Sequence, residues 1–100
     1  MFDWAAIEGF DWDAGNERKS GAKHGVSPAE AEQVFFHEPL LVSSDVAHSH
    51  AESRWHALGC SDAGRYLHLT FTVRANATLI RVISARDMHR KERKLYEQGP

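Results

Sequence analysis

Between Tyr66 and Val73 the chain alternates strictly, with Leu67, Leu69, Phe71 and Val73 apolar and Tyr66, His68, Thr70 and Thr72 polar or amphipathic. A period of two sends these sets to opposite faces, so the segment reads as a β-strand with one buried and one polar face. The runs "LLVSSDV", "RWHALG" and "TLIRVIS" have a similar texture and are bounded by Gly, Asp, Asn or Ser. The connections "CSDAGR" and "RANAT" are short enough for hairpin loops, which predicts an antiparallel meander for the last three strands. A short strand over residues 9–12 can precede them.

Elsewhere the period changes. Ser27-Pro28-Ala29-Glu30 is a capping box with proline at the first helical position, and Ala31, Val34 and Phe35 then fall on one face of a short helix that Pro39 stops. Upstream, Asp13 can cap a helix running through Arg18 and Lys19, with Gly25 as its stop. Gly15 and Gly21 weaken that helix, at about 1 kcal/mol each against alanine. The last segment, "DMHRKERKLYEQ", predicts a charged helix capped by Asp87, with Met88, Leu95 and Tyr96 inward. Helices, then strands, then a helix define an α+β fold, with helices packed on one face of a small antiparallel sheet and a charged C-terminal helix.

The chain has 100 residues, which predicts one domain with a single core, residues 1–9 being set apart as an N-terminal extension. Cys60 is the lone cysteine, no stretch approaches the roughly 18 apolar residues of a membrane span, and a soluble cytoplasmic protein is expected. The net charge of −2 conceals a division. Residues 1–50 carry three Lys/Arg against nine Asp/Glu, and residues 51–100 carry nine against five. A basic half on an otherwise acidic chain suits local binding of a polyanion.

Several of these residues stand in a recognisable order. "FDWD" at 10–13, "KHGVS" at 23–27, Glu30, Ala31, Val34 and Phe35, Pro39, Arg54 with Gly59, "GR" at 64–65, and "IRVISARDM" at 80–88 followed by Glu92 and Tyr96 resemble the BrnT family of type II toxins over about residues 10 to 96. The resemblance implies a RelE-like fold, endoribonuclease activity that arrests growth, and a cognate BrnA-like antitoxin with a ribbon-helix-helix DNA-binding domain. Operator DNA would then be bound only through the antitoxin complex. The chain departs from the family pattern at Asn16 and Ser20, where members commonly carry lysine and asparagine, so Lys19 or Lys23 would have to supply any phosphate contact made there.

Cleaving RNA without a metal or cofactor requires a group to take the 2′-hydroxyl proton, cations to offset charge on the phosphorus, and a donor for the leaving oxygen. His24 can serve as acid or base, and equally as a helix C-terminal cation favoured by the macrodipole. Arg74, Arg81 and Arg86 form the candidate phosphate clamp. In a regular strand Arg81 and Arg86 fall on opposite faces, and Arg86, at the strand-to-helix junction, is the stronger catalytic candidate. Glu52 and Arg54, two apart, can orient each other or a catalytic group. The expected catalytic set is His24, Arg74, Arg86 and Glu52, and the expected RNA contacts are Lys19, Lys23, Arg54, Arg81, Tyr66 and His68. His48 and His50 form an H-x-H pair, but no cysteine or carboxylate cluster completes a zinc pattern. The rival expectation is a non-catalytic nucleic-acid-binding module, or a degenerate toxin kept as a subunit of an autorepressing complex.

Overall fold

The computed structural model describes residues 2–49 and 51–99; His50, and with it the His48/His50 pair, lies outside the described residues. The order is β1 (Gly9–Phe10), α1 (Ala14–His24), α2 (Pro28–Gln33), β2 (Leu41–Ser44), β3 (Trp55–Cys60), β4 (Tyr66–Arg74), β5 (Leu79–Asp87) and α3 (Arg90–Gln98). The five strands form one sheet in the order β1-β5-β4-β3-β2. β2 to β5 are antiparallel neighbours, as the meander predicts, but β1 runs parallel to β5. The sheet is therefore mixed, which corrects the antiparallel expectation.

One face of the sheet is dry. Trp55, Ala57, Leu67, Leu69, Phe71, Ile80, Val82 and Ala85 pack there with Val26, Ala31 and Val34 of the helical layer. Phe71 stacks on Trp55 at 5.8 Å between ring centres, and Phe35 and Phe2 meet it edge-on at 5.2 and 6.0 Å. Phe2 and Ile7 of the N-terminal segment thus pack against this core. Gly59 lets the α2 layer approach β3 closely, because a Cβ there would stand 2.6 Å from Val34 Cγ1.

The polar helix α1 stays in place by satisfying backbone groups. β1 pairs with β5 only at Leu79 and Ile80, which leaves the rest of that edge in need of partners. Asn16 Nδ2 donates to Val82 O at 2.9 Å and to Asp11 O at 3.0 Å, and Ser20 Oγ accepts from Ala85 N at 2.9 Å. Both side chains are buried. The two departures from the family pattern are therefore helix-docking positions here. Asp13 caps α1 as expected, and Gly25 ends it in the left-handed region at φ 65°.

Two further expectations change. α3 lies against the face opposite α1 and α2: Tyr96 meets Tyr66 at 5.2 Å and Glu92 binds Arg86, both on the polar side of their strands. Helices therefore occupy both faces. The helix is capped at His89, whose backbone N–H donates to Glu92 Oε1 at 2.8 Å, while Asp87 stays in β5 opposite Leu67. Asp87 is instead held by Arg65 at 2.7 Å.

Candidate active site

The unexpected feature of β5 is a bulge. Thr70 pairs with Ser84 and Phe71 with Val82, so Ile83 is an extra residue without a partner. One inserted residue reverses the parity, and Arg81, Ser84 and Arg86 all join the face of Thr72, Thr70 and His68. The expectation that Arg81 and Arg86 point to opposite faces is corrected by that bulge.

In register across this face stand Ser43, His56, Thr70 and Ser84 in one row, and Leu41, Leu58, His68 and Arg86 in the next. Glu92 and Leu95 of α3 wall one side, and together these residues line an open cleft of about 600 Å³. The second large hollow, about 770 Å³ around Trp4, Phe10, Phe35 and Phe36, is mainly apolar and carries none of this chemistry.

Arg86 is anchored in two-pronged geometry: Nη1 and Nη2 donate to the Glu92 carboxylate at 2.8 and 2.9 Å, and Nη1 also donates to Asp87 O at 3.0 Å. That pairing holds the Glu92 carboxyl down to about 2, against the cost of its partial burial. His68 stands between Arg86 and β3, with Nε2 3.9 Å from Glu92 Oε2. Burial, and then the positive charge of Arg86, push its imidazole down to about 4, so it is neutral at physiological pH. Its ring lies 4.9 Å from that of His56.

His56 has a polar neighbour at each ring nitrogen. Nε2 is 3.2 Å from Asp45 Oδ2 and Nδ1 is 3.2 Å from Thr70 Oγ1. Asp45 is buried and also meets His48 Nδ1 at 3.1 Å. Burial raises the Asp45 carboxyl, but the His48 hydrogen bond and the charges of His56 and His48 outweigh it and leave it below its ordinary value.

The structure brings together only some of the expected site. Arg86 and His68 line the cleft, and Tyr66 flanks α3 with Arg93 over its ring at 4.7 Å. Arg74 and Glu52 pair with each other at 3.1 Å at the far end of β4, about 20 Å along the strand from His68. Arg81 is taken up by Asp13 at 3.0 Å and Asp11 at 3.5 Å. Arg54 lies beside His48 and Glu52, with Nε buried and without a hydrogen-bond partner among the described residues. Lys19, Lys23 and His24 are exposed on α1, the helix packed on the covered face. Glu52 therefore orients Arg74 and not Arg54.

Thr70 stands on the polar face that the alternation of β4 marks as able to line an RNA groove, whereas the pairing of Asp45 with His56 escaped sequence reasoning, because the two are separated by a loop whose path no periodicity reveals. Arg65 was visible only as part of "GR"; it donates to His24 O and Gly25 O at 3.0 Å each and pairs with Glu30 and Asp87, tying α1, α2 and β5 together. Among the described residues no group of three or more His, Cys, Asp or Glu is arranged to hold a metal ion, and no helix is long and apolar enough to cross a membrane.

These parts define an α+β domain whose open sheet face presents imidazoles and an anchored guanidinium, equipment for holding an anion and moving a proton. Residues 12–92 match the family described as ribonuclease toxin, BrnT, of type II toxin-antitoxin system, and the chain belongs to that family. No curated protein matches it.

Proposed function

We propose that this chain is an endoribonuclease toxin that cleaves RNA by metal-independent transesterification in the open-face cleft. Membership of a family described as ribonuclease toxins supports the class of activity. The observation that carries the location is Arg86 beside His68, in the cleft that His56 also lines. Of its five N–H groups, the bonds to Glu92 and Asp87 use three, which leaves Nε–H and one Nη2–H for the oxygens of a phosphodiester. Thr70 and Ser84 add hydroxyls at the cleft floor. The α+β architecture, with helices against a five-stranded sheet, suits the RelE-like assignment.

In this reading a cognate antitoxin of the ribbon-helix-helix kind neutralises the toxin, and operator binding belongs to the complex. The division between an acidic first half and a basic second half offers such a partner surfaces of both signs. The test is incubation of the purified chain with single-stranded RNA in excess chelator. Cleavage leaving a 2′,3′-cyclic or 3′-phosphate end supports the reading. Binding without cleavage replaces it with the non-catalytic module, and a 5′-phosphate product or loss of activity on chelation points to a metal-dependent nuclease.

A further inference from the structure

Asp45, His56 and Thr70 form a chain of polar contacts that leads from the buried Asp45, just after β2, into the cleft. Asp45 is only 8% exposed, and its carboxylate, ionised at neutral pH, can only accept. With that carboxylate 3.2 Å from Nε2, the neutral form of the His56 imidazole is favoured with its hydrogen on Nε2 and its lone pair on Nδ1. That lone pair faces the Thr70 hydroxyl at 3.2 Å. In its neutral form the imidazole is thus oriented as a proton acceptor, with a carboxylate 3.2 Å from its other nitrogen, in a cleft where an arginine stands two strands away.

We propose that His56 takes the 2′-hydroxyl proton, that Asp45 is its positioning residue, and that the Thr70 hydroxyl marks the place of the attacking ribose oxygen. The assignment rests on the ribonuclease reading above. From the spacing of strands and pleats, the Cα atoms of His56 and Arg86 are roughly 12 Å apart, which leaves room for one ribose-phosphate unit between imidazole and guanidinium. The 2′-hydroxyl displaces the Thr70 hydroxyl from Nδ1 and gives up its proton there. The 2′ oxygen then bonds to the adjacent phosphorus as the P–O5′ bond breaks. The 5′ oxygen takes a proton from solvent water, and His56 returns its own to solvent. The products are a 2′,3′-cyclic phosphate and a free 5′-hydroxyl. Arg86 offsets the charge gathered on the non-bridging oxygens.

Among the described residues, the charged and titratable groups around His56 are Asp45 and, through it, His48; His68 at its flank; Arg86 and Glu92 beyond; and Arg54 beside His48. His68 is neutral above about pH 4 and adds no charge beside the imidazole in the working range.

The experiment is a single-turnover cleavage assay of single-stranded RNA by the purified full chain in excess chelator, from pH 5 to 9, with thermal unfolding recorded for each variant. His56→Ala and the better-accommodated His56→Gln are expected to lose about 10²- to 10⁴-fold in rate while folded. Asp45→Asn is expected to lose less and to move the acid limb of the pH profile to lower pH, a displacement that a merely structural role would not cause. Full activity in folded His56→Gln, or an Asp45→Asn profile superimposable on the wild type, overturns the assignment alone. A wild-type chain that cleaves no RNA overturns both the assignment and the ribonuclease reading.

Discussion

The two faces of the sheet are made by the same strands and have opposite fates. On the covered face Leu67, Leu69, Phe71, Val82 and Ala85 are buried beneath α1 and α2. On the other, His56, Thr70, Ser84 and Arg86 line a cleft because α3 covers only one side. The first face holds the fold together by excluding water, whereas the second keeps polar groups oriented by pairing them in sequence: Glu92 to Arg86, Asp45 to His56. A change on one face should thus cost stability, and a change on the other should cost chemistry.

The largest effect expected on the covered face is that of Phe71→Ala, which should lower unfolding free energy by about 3–5 kcal/mol, since the side chain is fully buried among aromatic neighbours. Denaturant titration measures this. Arg86→Ala should do the reverse, leaving a folded protein whose RNA cleavage falls about 10²- to 10³-fold. Under the same assay His24→Ala and Arg74→Ala should cleave at near the wild-type rate, because neither residue lines the cleft. If His24→Ala were the inactive variant while folded, the division between the faces would be misplaced.

His68 makes the open face contribute to stability in a pH-dependent way. Its folded-state value of about 4 lies below the 6.5 of the free side chain, so in that window the unfolded chain binds more protons than the folded one. Stability therefore falls as pH drops from 6.5 to about 4, with a full loss on the order of 3 kcal/mol from this group. Comparing unfolding of wild type and His68→Gln across that range isolates the term, and the variant should show the shallower slope. Asn16→Ala, which strands Val82 O and opens the α1 contact, should cost about 1–3 kcal/mol and leave the cleft's chemistry in place. The smallest effect is expected at the exposed Arg74–Glu52 pair, where Glu52→Gln should change stability by no more than about 1 kcal/mol.

Much of the covered face was legible in the sequence, and the reasons are local. The β4 alternation is a period-two signal that tertiary structure left intact, and Asp13, Ser27 and Gly25 act within one helical turn of where they stand. The open face was harder to read because its order comes from distant residues. Ile83 carries no mark of a bulge, being neither Gly nor Pro, and yet it decides that Arg81 and Arg86 share a side. Asp45 read as the end of a strand, and only the loop path brings it to His56. The basic second half suggested free arginines, but Arg65, Arg74, Arg81 and Arg86 each hold a carboxylate that composition could not assign.

The central claim is that RNA is bound in the cleft on the open face, and the most direct measurement is to map the contact. Titrating isotope-labelled protein with a single-stranded 2′-fluoro RNA oligonucleotide, which lacks the attacking hydroxyl, and following amide and imidazole NMR signals would locate it without turnover. The account predicts perturbations centred on His56, His68, Thr70, Ser84 and Arg86, with the α1 end silent. Perturbations centred on Lys19, Lys23 and His24, or on Arg74 and Glu52, would contradict it.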